Sequence, residues 1–444
     1  MKLWEKDKKT SEEVLKFTIG NDPLFDKLLA PYDIIASMAH ARMLGKVGLI
    51  SQAEADDLVR ELLDYYPETC KDSFQLHPGD EDIHSHIENY LVEKVGDTGK
   101  KIHTARSRND QVLVAMQLFL KEEIRQLVEE VIGLFEVLMD RAEQHKDMLI
   151  PGYTHTQVAM PSSIALWLGA YGEALVSDLK LMQGILSFID QNPLGSAAGF
   201  GSSFPVDREM TTRLAGFRDV LVSPVSAQLN RGKLESVCGF GLSAIATSLS
   251  KLASDMILYM SQDMNFISFP EELTTGSSIM PHKKNPDVLE LIRAHCNRIM
   301  QIPAALNGIG ANLISGYHRD FQLSKEILFP GFSELKQCLS MMKLMVSAME
   351  VRSAILEDEK YKYIFSVERV NEKVMNGSSF RDAYREVAEE ISSGSYRGQG
   401  GADYTHLGSI GNPGLDQIRR KMKIAQAAIQ IKAAAEILKD LSGQ

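Results

Sequence analysis

The sequence predicts a mainly all-α protein built around a bundle of long helices. Three observations predict it. Apolar residues recur at steps of three and four over long stretches, the pattern returns in five segments, and no segment reads as strand-rich. The first 105 residues read as a shorter N-terminal helical domain. Their opening, MKLWEKDKKTSEEVLKF, is charged throughout and holds no apolar block, so no secretory leader is expected. A central bundle domain follows over residues 106–352. From Asp110 to about Asp147, Met116, Leu120, Ile124, Leu127, Val131, Leu134, Leu138 and Ala142 share one helix face. At 1.5 Å per residue that helix spans about 57 Å. Ser162–Asp190 repeats the pattern, and Leu234–Met264 adds Gly239, Gly241, Ala244 and Ala246, small enough for close helix approach. Pro286–Ile309 opens with Pro at a plausible first helical position, and Pro303 should kink it. Gly331–Leu356 is a fifth helix. Residues 353–444 read as a small C-terminal helical domain, with SSGSYRGQGGADY between two helical patterns. Helices apolar on more than one face need partners on more than one side, so the bundle is expected to complete its core by oligomerising.

Composition excludes several function classes. The 444 residues are 44% hydrophobic and 24% charged, which is ordinary globular composition. No apolar run approaches the length of a membrane span. The net charge of -11 disfavours nucleic acid or an anionic membrane as partner, so any anion site must draw on local positive charge. Cys70, Cys238, Cys296 and Cys338 lie far apart without a CxxC pair, and read as reduced thiols of a cytoplasmic protein. There is no GxxxxGK[ST], GxGxxG or GxSxG motif, so nucleotide hydrolysis, dinucleotide redox and hydrolase-elbow chemistry lose their usual warrants.

Four polar segments interrupt the helices, where sites tend to sit. Glu271–Asp287 (EELTTGSSIMPHKKNPD) has a flexible tip around Gly276 whose N–H groups can form an anion nest, and Lys283 and Asn285 are suited to stabilise an oxyanion. Lys101–Gln111 (KIHTARSRNDQ) offers Arg106, Arg108 and Asn109 where Asn109 or Asp110 would start the long helix. Pro151–Gln157 (PGYTHTQ) places His155 between Thr154 and Thr156, a proton donor or acceptor between helices. Ser315–Lys325 carries Tyr317, Gln322 and Lys325 at a spacing that no single face of a regular helix provides. A fifth string, Asp80-Glu81-Asp82-Ile83-His84-Ser85-His86, suggests a metal site through His-x-His. The spacing matches no closed site and no third ligand is evident, so it reads as a helix start with acids near its positive end.

Together these strings resemble the fumarase/aspartase superfamily, and within it the argininosuccinate lyases. GSSIMPHKKNPD is similar to the superfamily signature GSSxMPxKxN. HTARSRNDQV is similar to the HTGRSRNDQV stretch of argininosuccinate lyases, supported by EDIH, GYTHTQ, PLGS followed by VDRE, and YHRDFQLSK. The resemblance runs in order from about Asp33 to Ile410. It implies a three-domain fumarase/aspartase-like fold and a homotetramer whose active sites are shared between subunits. It implies reversible cleavage of argininosuccinate to arginine and fumarate, the last step of arginine biosynthesis, with no metal and no organic cofactor. Carried over by motif position, Ser277 resembles the general base, and His155, with Glu290 as carboxylate partner, the group linked to acid catalysis. Ser37, Arg108, Asn109, Thr154, Tyr317, Gln322 and Lys325 resemble substrate contacts. Four departures stand out: Ala105 where Gly is usual, His318 where Asn is usual, GSAAGFGSS in place of a GSGALAG run, and a somewhat short C-terminal domain. The rival readings are another fumarate-releasing lyase, such as adenylosuccinate lyase or aspartase, and a non-catalytic crystallin-like relative.

Overall fold

The structure, a computed structural model, describes residues 11–77, 80–398 and 404–443. The charged opening over residues 1–10 and residues 399–403 of the Gly/Ser stretch lie outside the described residues. Helices α1 (Glu12–Ile19) and α2 (Asp22–Asp26) lead into α3 (Ala30–Lys46), α4 (Gln52–Thr69), α5 (Ile83–Val95) and the single turn α6 (Asp97–Lys100). The bundle begins with α7 (Arg108–Gln144), followed by a hairpin of β1 (Leu149–Thr154) and β2 (Gln157–Ser163) and then α8 (Ile164–Ile189). Short helices α9 (Arg208–Leu214) and α10 (Pro224–Leu229) precede α11 (Lys233–Tyr259), α12 (Asp287–Ile299), α13 (Ile302–Gly310) and α14 (Ser324–Ala348). The chain closes with α15 (Ser366–Met375), α16 (Phe380–Ser392), α17 (Leu415–Ala427) and α18 (Ala434–Ser442).

Side-chain pairs fix the direction of each bundle helix. Lys336 meets Glu123 at 3.0 Å and Lys343 meets Glu130 at 2.6 Å, so α14 runs the same way as α7. Trp167 donates to Asp255 at 3.0 Å and Ser248 to Asp178 at 2.8 Å, so α8 and α11 are antiparallel. Ser250 donates to Asn297 at 3.1 Å, near the middle of α11, while Gly239, near its start, faces Ile302; the chain therefore returns along α11 through α12 and α13. The expected small-residue contacts hold. A Cβ on Gly239 would meet Ile302 at 2.9 Å, and one on Gly241 would meet Met182 at 2.6 Å.

Several boundaries differ from expectation. Neither Asn109 nor Asp110 caps the long helix. Ser107 does, accepting from the Asn109 amide at 3.3 Å, while Asp110 reaches back to the Ser107 amide at 2.9 Å. That is a capping box, and it starts α7 earlier than the apolar pattern does. The kinked helix expected over 286–309 is two helices. Pro286 is the residue before α12, and Pro303 sits in the first turn of α13, where its missing N–H costs nothing. Helix α14 starts seven residues ahead of Gly331 and contains Pro330, because burial of Lys325, Leu328 and Phe329 holds its first turns. Helix α11 is long and apolar enough to cross a bilayer, though about half of that stretch is buried among the bundle helices. A separate small core of Val370, Ala383, Val387 and Tyr396 lies toward the C-terminus.

Candidate active site

The start of α7 gathers one group of site residues. Arg108 donates to Asp82 at 2.6 Å, and Asp82 caps α5 by accepting from the Ser85 amide at 2.7 Å. One carboxylate therefore ties the N-termini of two helices together. Lys325, in the first turn of α14, is buried between Asp22 at 2.7 Å and Asp26 at 2.9 Å. Asp26 also accepts from the Ile83 amide at 2.7 Å. Gln322 lies in a 3₁₀ turn, which supplies the irregularity that the Tyr317/Gln322/Lys325 spacing demands. It donates to the carbonyls of Thr18 and Ile19 at 3.1 and 3.0 Å, and accepts from Arg319 at 3.1 Å. Arg108, Tyr317, Gln322 and Lys325 line one cavity of about 200 Å³. Asn109 sits beside it, donating to the Ala198 carbonyl at 3.5 Å. Ser37 does not line the cavity: it is buried and accepts from Arg106 at 3.0 Å.

Charge in this end is settled by burial and pairing. Burial alone would depress the Lys325 ammonium, but Asp26 and Asp22 outweigh it and hold its pKa above the ordinary lysine value. Burial would likewise raise Asp26, yet Lys325 and His84 pull it below the usual carboxylate range. His84 Nδ1 lies 2.9 Å from Asp33, and that carboxylate overcomes burial to raise the imidazole pKa. Residue-by-residue reading missed Arg231. Its guanidinium lies 5.0 Å from the Tyr317 ring centroid and 5.3 Å from that of Phe321, and two of its buried nitrogens have no hydrogen-bond partner. The adjoining Gly232, at φ +77°, is forced: a Cβ there would meet the Phe321 ring at 2.5 Å. A glycine after an arginine at a helix start was the available signal.

The second group lies at the other end of the bundle. His155 lies between helices in the chain, in the connection from α7 to α8. It is the first turn residue of the β1–β2 hairpin, with Thr154 paired to Gln157. Both His155 (φ +53°) and Thr156 (φ +59°) are left-handed, as a two-residue hairpin turn requires, but without the Asn or Gly that normally announces one. Tyr153 anchors the hairpin through its hydroxyl, 3.3 Å from that of Tyr361. Nearby, Thr275 and Asn285 pair across the base of the 271–287 loop, the Asn285 amide donating to the Thr275 carbonyl at 2.8 Å. Ser277 Oγ accepts from the Ile279 and Met280 amides at 3.4 and 3.2 Å. Two backbone dipoles thus aim at this oxygen and favour negative charge on it. Lys283, on the same loop, and Glu290, in the first turn of α12, are exposed, and Asn285 donates to the Gly276 carbonyl at 3.3 Å. Among the described residues, no hydrogen bond or ion pair joins Ser277 to His155, or either to the first group. Helix α7 alone separates the two ends by about 55 Å.

Comparison with known proteins completes this picture. Residues 8–301 match the family described as Lyase. The chain is 48% identical over 440 residues to an argininosuccinate lyase of Parabacteroides distasonis, covering 99% of each. It is 43% identical over 389 residues to one of Thermotoga neapolitana, covering 88% of this chain and 98% of the other. The chain belongs to the argininosuccinate lyase family. Its fold matches that of an EDDS lyase in complex with formate, at TM-score 0.72 and 21% identity over 98% of this chain and 95% of that one. It also matches a class II fumarase from Schistosoma mansoni, at TM-score 0.70 and 18% identity over 86% of this chain and 88% of that one. Against the argininosuccinate lyase pattern, three of the departures now have places. Ala105 sits at φ +62°, so it bears a strain that glycine would not. In GSAAGFGSS, the Gly195 and Ala197 amides donate to Asp110 at 3.0 and 2.9 Å, pinning that loop to the start of α7. His318 contacts the Ile314 carbonyl at 3.0 Å.

Proposed function

We propose that the protein catalyses the reversible elimination of argininosuccinate to arginine and fumarate, in a site assembled from more than one copy of the chain. The observation that carries the reaction is the full-length similarity to curated argininosuccinate lyases. The chemistry of the residues supports their roles. Elimination removes a proton from carbon beside a carboxylate and piles charge onto an already anionic group. Ser277, its oxygen facing two amides, serves as general base, and Lys283 with Asn285 stabilises the aci-carboxylate. Each donor of this kind is worth about 10²–10³ in rate. His155, with Glu290 as carboxylate partner, handles the proton that the departing guanidino nitrogen needs. Arg108, Asn109, Tyr317, Gln322 and Lys325 hold the substrate, with Thr154 contributing from the hairpin and Ser37 acting through Arg106. The cavity carries both signs, with Asp22, Asp26 and Asp82 beside Arg108, Arg231 and Lys325, which suits a substrate with carboxylates and cationic groups.

The separation of the two groups in one chain supports a shared site. So do the uncovered apolar residues Phe240, Leu291, Met341 and Leu344 on α11, α12 and α14, which fit burial in a homotetrameric core. Chains laid antiparallel would bring opposite ends together. A cytoplasmic location fits the free thiols, three of them buried. The test is a fumarate-absorbance assay with argininosuccinate, adenylosuccinate and aspartate. Turnover of argininosuccinate alone is expected; preference for either other substrate overturns the assignment. Mixing inactive Ser277→Ala chains with inactive Arg108→Ala chains and allowing subunit exchange should restore part of the activity. No recovery in demonstrably mixed oligomers would refute the shared site.

A further inference from the structure

The fold supplies a third ligand to the His-x-His string, and it does so through a residue outside that string. His84 is engaged with Asp33, but His86 turns the other way, toward Asp80 and His77. One ligand atom from each of His77, Asp80 and His86 lies within 4.8 Å of the other two. We propose that these three side chains bind a divalent transition-metal cation of the zinc class, outside the elimination chemistry.

The surroundings are those of a built site. His86 is buried, and its Nε2 lies 2.7 Å from the Tyr65 hydroxyl. Tyr65 is itself stacked on Tyr90, with ring centroids 3.8 Å apart. On the other side of the ring, Nδ1 lies 2.6 Å from Asp80 Oδ2, while Asp80 Oδ1 accepts from Asn89 at 2.8 Å. Each of these two ligands therefore has an outer partner of the kind that orients metal ligands. When Nε2–H donates to Tyr65, the Nδ1 lone pair meets only a long amide contact from His77 at 3.4 Å and otherwise faces a carboxylate, and a cation between the two reconciles them. When Nδ1 carries a proton instead, that proton leaves to solvent as the metal enters. The exposed His77 closes the site from outside and leaves an entry path. Two imidazoles and one carboxylate, with water in a fourth position, is a zinc-type set rather than the all-oxygen set of magnesium or calcium. Zinc–ligand bonds of about 2.0–2.2 Å need the Asp80–His86 contact to open by under about 1 Å. The cation would tie the segment before α5 to that helix, whose cap Asp82 holds Arg108.

The experiment uses the full chain after chelator treatment, titrated with Zn²⁺ by calorimetry and with Co²⁺ by visible absorption. One saturable equivalent per chain is expected, with a Co²⁺ spectrum of low coordination number and a raised melting temperature. His77→Ala, which removes an exposed ring, and Asp80→Asn should each weaken binding by about tenfold or more. Tyr65→Phe, which keeps every ligand, should weaken it by about tenfold and serves if the first two variants fold poorly. Absence of one-equivalent binding below about 100 μM in the wild-type chain overturns the proposal. So does unchanged affinity in the folded variants.

Discussion

The two ends of the bundle are built on opposite principles. At the start of α7, charged groups are paired and committed: buried Lys325 to two aspartates, buried His84 to Asp33, and half-buried Arg108 to Asp82. At the far end, His155, Ser277, Lys283 and Glu290 ride on a hairpin tip, a loop and a helix start, exposed except for the half-buried Ser277. A recognition end gains from rigidity, since preorganised partners lose little freedom when a ligand arrives. Under the proposed reaction, loops that bear the chemical groups would close only when their counterpart is present, delaying exclusion of water until substrate is seated.

Three substitutions probe that contrast, from the largest effect to the smallest. Ser277→Ala should lower kcat by about 10³-fold or more with KM within a few-fold, because the recognition end is untouched. A KM rise equal to the kcat loss in steady-state assays would show that the loop also recognises substrate. His84→Gln should cost about 3 kcal/mol near pH 6 by leaving buried Asp33 with only Arg106, 3.6 Å away, as a charged partner. The sign follows from the two shifts. His84 titrates above its ordinary 6.5, so its contribution is full below that and fades as pH rises through the raised value. Asp33 titrates below its ordinary 3.8, so its share is lost only in acid. Urea midpoints for both proteins between pH 5 and 9 should therefore converge as pH rises, and a constant gap would contradict the pairing. Ala105→Gly should stabilise by about 1 kcal/mol by relieving the left-handed alanine. A lowered urea midpoint would show that this strain is offset by contacts of the methyl group.

The bundle was legible because its signal is periodic and local. Eight apolar positions on one face define α7 without any knowledge of its neighbours. The same periodicity says nothing about where such a helix begins, which Ser107 and Asp110 decide through hydrogen bonds. The hairpin was hidden because a His-Thr turn lacks the usual glycine or asparagine, and because Pro151, Gly152 and Pro161 interrupt its strand pattern. Motif resemblance supplied the candidate site residues, but sequence order could not reveal that they fall at two ends of one chain. Arg231 escaped notice because its one local signal, the following Gly232, marks a helix start without showing that the guanidinium before it is buried and unpartnered.

Helix α7 also acts as a measuring rod. Removing one residue from its middle would shorten it by about 1.5 Å and swing everything beyond by about 100°, throwing the His155 hairpin out of register with Arg108. Loops on either side can lengthen or shrink over evolutionary time with little penalty, whereas this segment must keep its residue count. Engineered insertions should obey the same arithmetic: a pair of full turns, about seven residues, restores the angle while displacing the ends by about 10 Å.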